Sequence, residues 1–188
     1  MSEIQSLAAP KASFDRRSVV KTAAWSVPVI AAAIAAPAAA ASVGTPTAKA
    51  SFEKVPTSAT FTRVENPVSG QNRTGLAPVE FTVTNTSSVP TGTIQGVITI
   101  QPVTAGATGV GFTTTTPTVG AAGSFSGSVF TAPIFYTAGI AAGAFQSFSF
   151  GGFKYLGAKL ATGGDYTITV TLTHPSSSTA GSTITLGK

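Results

Sequence analysis

Beyond residue 50 the chain alternates apolar and polar positions with a period of two. In "PVEFTVTN", Val79, Phe81 and Val83 share one face, while Glu80, Thr82 and Thr84 share the other. In "DYTITVTLTH", Tyr166, Ile168, Val170 and Leu172 point one way and the threonines the other. "GTIQGVITIQP" sets Ile94, Ile98 and Ile100 together, with Gly96 marking a bulge or a close backbone contact. This alternation predicts half-buried antiparallel strands, each fully buried side chain contributing about 1.5–3 kcal/mol. Weaker patterns predict strands over residues 58–65, 108–116, 125–137, 144–156 and 181–186. Turn residues punctuate them at Asn66-Pro67, Ser69-Gly70, Pro90-Thr91-Gly92, Pro102, Pro117, Gly163-Gly164 and Pro175. No helical period follows residue 42, and no internal repeat appears. The expected fold is therefore all-β, one antiparallel β-sandwich over residues 58–188, with 42–57 as a linker or edge strand. Within it, Thr104–Ala144 is rich in Gly, Ala and Thr, which suits twisted or edge strands with long loops. A flexible ligand loop, or a segment that orders during assembly, is the functional reading of the same stretch.

Residues 1–41 have a different texture. A polar stretch ends in Arg16, Arg17 and Lys21, an uncharged apolar run follows to residue 36, and Pro37 precedes a run of small residues. A basic head, apolar middle and small-residue tail is the layout of a signal peptide. A transmembrane anchor is the competing reading, since residues 22–41 are about long enough to span a bilayer. Against it, large apolar residues are sparse there, and Pro28 and Pro37 interrupt the helix. A helix of the fold is disfavoured because alanine on every side gives no polar face.

"RRSVVK" resembles the twin-arginine translocation signal, with Asp15 before the pair. The longer stretch through "AAPAAAAS" is similar to leaders of small exported proteins of actinobacteria. The resemblance covers about a fifth of the chain. It implies that a translocase reads Arg16, Arg17 and Lys21, and that signal peptidase cuts after Ala39-Ala40-Ala41, so that Ser42 begins the mature chain. The expected location is outside the cytoplasm, secreted or cell-surface associated. With no cysteine or hydrophobic tail to attach it, release is expected over covalent anchoring.

"LATGGDYTITV" resembles the corner before the sixth strand of immunoglobulin-like and fibronectin-like domains. "VEFTVTNTSSVPTGTIQG" is similar to a strand-turn-strand of bacterial immunoglobulin-like repeats. The first resemblance implies that Tyr166 forms a tyrosine corner, its hydroxyl bonded to backbone a few residues upstream.

Composition removes several kinds of chemistry. Charged residues are 9% of the chain, against roughly 25% in ordinary domains. There is no cysteine, hence no disulfide, thiolate zinc site or cysteine nucleophile. The bases after the leader, Lys49, Lys54, Arg63, Arg73, Lys154, Lys159 and Lys188, are dispersed, whereas nucleic-acid binding needs a dense basic footprint. His174 is the only histidine and sits at a strand end. A secreted hydrolase would require Glu65, Glu80, Asp165 or His174 to converge, and their spacing does not favour it. No nucleophile elbow, phosphate loop or acidic calcium loop occurs. "SFEK" at residues 51–54 matches a penicillin-binding motif by chance. Asn72-Arg73-Thr74 and Asn85-Thr86-Ser87 match the glycosylation acceptor pattern.

The expectation is thus a non-catalytic exported protein without cofactor or metal, with a structural, adhesive or recognition role. Its partners would be the export machinery and then an envelope protein or a glycan. Self-association as the subunit of a surface layer or filament is the alternative. The expected partner patch is Phe153, Lys154 and Tyr155, which follow a Gly-Gly break in "FQSFSFGGFKY". Phe148 and Phe150 of that stretch are assigned to the core.

Overall fold

The computed structural model describes residues 44–65 and 70–187. The expected leader, with Arg16, Arg17, Lys21 and the expected cleavage site at Ser42, and the turn residues 66–69 lie outside them. The expected strands form, and a strand over Arg73–Ala77, where none is expected, joins them: β1 (Ala48–Ser51), β2 (Thr57–Arg63), β3 (Arg73–Ala77), β4 (Glu80–Asn85), β5 (Ile94–Pro102) and β6 (Val110–Thr116). Then follow β7 (Ser124–Ser126), β8 (Val129–Tyr136), β9 (Phe145–Tyr155), β10 (Gly164–His174) and β11 (Ser178–Leu186). The described residues contain no helix. Thr104–Ala144 holds β6, β7 and β8 with loops between them, as its composition suggests.

The strands form one ladder in the order β1-β4-β9-β2-β3-β11-β10-β5-β8-β7, with β6 paired to β9. Every pair is antiparallel except β2 and β9, which run parallel from Phe61 opposite Phe153 to Arg63 opposite Tyr155. The long strand β9 makes this arrangement work. Its first half pairs with β4, its last residues with β2, and β6 lies along its other edge.

The inward residues of the ladder make one core. Phe81 of β4 stacks on Phe148 of β9 at 5.0 Å between ring centroids. Phe148 meets Tyr136 of β8 edge-on at 5.1 Å, and Phe112 of β6 meets Phe130 of β8 at 5.0 Å. These contacts bring β4, β9 and β6 against β8 in a sandwich-like stack, to which β10 adds Ile168, Val170 and Leu172. Gly96 makes the close contact expected of it. A Cβ there would stand 2.3 Å from the Thr171 carbonyl oxygen, beside the point where the β5–β10 register shifts, between Leu172 and His174.

The strand edges are treated unequally. The Ser176 hydroxyl accepts from the Ala48 amide at 2.9 Å and donates to the Ala48 carbonyl at 3.0 Å. Ser178 accepts from the Ala50 amide at 3.1 Å, so serine side chains close the outer edge of β1. On β8, Pro133 has no amide proton to offer and the Phe135 amide donates to the Val119 carbonyl. The far edge of β6 has no strand partner among the described residues.

Candidate interaction face

Three expectations about individual residues meet the structure here, and two need correction. Phe153 and Tyr155 do not form a surface patch: both are buried in the core. The break does shift the alternation, since Phe148 and Phe150 are even-numbered and Phe153 and Tyr155 odd. However, Gly152 has φ +65, where a side chain is strained, and the strand turns a corner there from β4 to β2. The turn brings the second phase back inside. Lys154 lies half-buried, with Nζ 5.3 Å from the Phe130 ring centroid and 5.7 Å from that of Phe125. The exposed aromatic of this strand is Phe145, 68% exposed.

Tyr166 does not form a tyrosine corner. It is fully buried, and its hydroxyl has no hydrogen-bond partner among the described residues. Burial pushes its pKa up to about 12, against a smaller downward pull from Arg73. The phenol that does bond to distant backbone is Tyr155, donating to the Gln71 carbonyl at 2.6 Å.

The four residues named for hydrolysis are engaged separately. Asp165 and His174 stand nine positions apart on β10, about 30 Å along a strand. Glu80 pairs with Lys54 at 2.9 Å and Glu65 with Arg63 at 3.3 Å. Asp165 accepts from the Thr185 hydroxyl at 2.8 Å, and His174 is exposed before a cis peptide to Pro175.

The surface with a regular chemical pattern is the outer face of β11, β10, β5, β8 and β7. Because the inward set on β10 is Tyr166, Ile168, Val170 and Leu172, the outward set is Thr167, Thr169 and Thr171. Strand pairing then lines up hydroxyls in rows. One row runs Gly181, Thr169, Thr99, Thr131, Ser124 across five strands. Its neighbours are Thr183, Thr167, Gln101 and Thr179, Thr171, Val97, Pro133. Side chains on such a face are spaced about 4.8 Å between strands and about 6.7 Å along them. These three rows carry no charged residue. Asp165, beside Thr185, is the first acid reached beyond them. The signal for this face is in the sequence, as Thr-x-Thr-x-Thr on β10. Only the register reveals that four other strands continue it. No protein-family model, curated protein or solved structure matches the chain.

Proposed function

We propose that the protein is exported through the twin-arginine route and acts at or outside the cell envelope as a non-catalytic recognition module. The observation that carries this reading is the uncharged hydroxyl face. A hydroxyl both donates and accepts, so rows of threonine on a fixed sheet complement a neutral glycan, whose surface is also hydroxyls. Cationic or anionic polymers would meet no opposite charge in these rows. The test uses protein recovered from culture fluid of its native host. Its intact mass should correspond to a chain starting at Ser42, and it should co-sediment with neutral envelope polysaccharide. Replacing Thr99 and Thr169 with lysine puts two desolvation-resistant charges at the centre of the face. That double variant should stay folded, with a slightly lower melting temperature because the two lysines face each other across β5 and β10. It should lose binding by about tenfold or more, equivalent to about 1.4 kcal/mol. Undiminished binding would sink the glycan reading.

A second reading, self-assembly into a surface layer, is favoured by the edge of β6. Val110–Thr116 contains neither proline nor charge, the usual guards on an unpaired edge. On this reading Thr114→Pro abolishes a concentration-dependent oligomer in sedimentation, whereas a chain that stays monomeric at every concentration excludes it.

A further inference from the structure

Arg73 occupies an inward position of β3 and is 4% exposed. A guanidinium carries five N–H groups. Its Nε donates to the Gly187 carbonyl at 2.9 Å, Nη2 donates to the same oxygen, and Nη1 donates to the Ala161 carbonyl at 2.7 Å. One N–H on each terminal nitrogen is left over. The Tyr155 ring lies 5.3 Å from the guanidinium carbon. All of these neighbours are neutral, and no carboxylate among the described residues pairs with Arg73. A buried charge without an opposite charge is costly, and neutral carbonyls offset only part of that cost.

The guanidinium lines a cavity of about 390 Å³ together with Leu160, Ala161, Thr162 and Gly163. The backbone crowds it closely, since a Cβ on Gly163 would stand 2.5 Å from Nη2. Two further cations brace the same loop. Arg63 donates to the Gly157 carbonyl and Lys159 to the Gly70 carbonyl, each at 2.5 Å. The acid in contact with this group is Glu65, an exposed partner of Arg63. The end of the molecule around residues 156–163 therefore has an excess of positive charge, focused on a recessed planar donor.

We propose that this cavity binds an oxyanion, the carboxylate or phosphate group of a small molecule or of a polymer end, with Arg73 as the recognising residue. A guanidinium is matched to the planar or tetrahedral oxygens of such groups, and partial burial strengthens the contact relative to water. Leu160, 92% exposed at the lip, offers apolar surface to the body that carries the anion. The site is separate in composition from the hydroxyl face and does not depend on what that face binds.

The experiment is a thermal-melt titration of the full chain with inorganic phosphate and, separately, acetate, each against sodium chloride at equal ionic strength. The wild-type melting temperature should rise with the logarithm of anion concentration above the Kd, reaching about 5–10 °C when the anion is a hundredfold above it. Which of the two begins to raise it at lower concentration tells phosphate from carboxylate. Arg73→Gln should abolish this rise. Because Arg73 also ties down three hydrogen bonds, Leu160→Asp supplies a variant altered only at the exposed lip. It should fold as the wild type does and weaken the anion by about tenfold or more through like-charge repulsion. No rise beyond that in sodium chloride for the wild type, or an equal rise in Leu160→Asp, overturns the proposal.

Discussion

Replacing Asn85 with alanine should lower the free energy of unfolding by about 3–5 kcal/mol, the largest loss expected from a single polar residue here. Asn85 ends β4 and is 1% exposed. Its Nδ2 donates to the carbonyls of Val89 at 2.7 Å, Ile140 at 3.0 Å and Ala141 at 3.0 Å. Its Oδ1 accepts from the amide of Ser87 at 2.9 Å and from its hydroxyl at 2.7 Å. One side chain thus satisfies the turn after β4 and the loop between β8 and β9. Alanine would leave those carbonyls only their second donors, the Ser87 hydroxyl, the Thr91 amide and the Ala144 amide. It would also strip the Ser87 amide of its acceptor and leave a cavity beside them. Urea denaturation is the measurement, with a lower midpoint at an unchanged slope as the expected result. Aspartate should do no better, because a carboxylate cannot donate to the three carbonyls. The same burial disposes of Asn85 as a glycan acceptor, whatever the match of Asn85-Thr86-Ser87 to the pattern.

The second large effect is alkaline and belongs to Tyr166. Its pKa in the folded protein is about 12, against an ordinary value of 10.0. Between those values the unfolded chain gives up the phenolic proton and the folded chain keeps it. The folded state then binds more protons, so stability falls as pH rises. The contribution is intact below pH 10 and is lost by about pH 12, a total of about 2.7 kcal/mol at about 1.4 kcal/mol per unit. Tyr166→Phe removes the titrating group, so the gap between variant and wild type should open by this amount across that window. At neutral pH phenylalanine should already be the more stable, by about 1 kcal/mol, because it removes a buried hydroxyl that has no partner. A tyrosine corner predicts the opposite, a loss at neutral pH. Denaturant titrations of both proteins at pH 8 and above pH 11 decide between them.

The strands that pack one face and wet the other were legible from the chain alone. β5 and β10 show it directly, since Ile98 and Ile168 are fully buried where the alternation puts them. By contrast, β4 buries Thr82 along with Phe81 and Val83, and Val79 before it is exposed. β3 was not legible. Its buried positions are Arg73 and Ala77, so its core-facing side reads as polar and small. Only a cavity and a set of carbonyls contributed by distant loops explain an inward arginine. The partner patch failed for a related reason. The Gly151-Gly152 break signals a change of phase, but the phase alone does not say whether the chain bends toward the core or away from it. Tyr166 carried the expected local pattern, yet a tyrosine corner needs an acceptor upstream, and what surrounds the hydroxyl is set by packing. The threonine face fell between these cases. Its composition was visible strand by strand, while its extent depended on pairing among segments scattered from residue 99 to residue 183.

The serine hydroxyls that close β1 come from 128 residues further along the chain. Contacts of such separation form late, because the loop they close is entropically expensive until the intervening strands are in place. During synthesis β1 emerges first among the strands and can pair with β4 early, but its outer edge waits for Ser176 and Ser178, among the last residues to emerge. The outer edge of β1 is therefore closed only when nearly the whole chain is available. Under the export route proposed above, an open outer edge on β1 would mark an unfinished molecule just behind the segment that the translocase reads. The seal on one short strand would then act as a timer, linking completion of the fold to readiness for export.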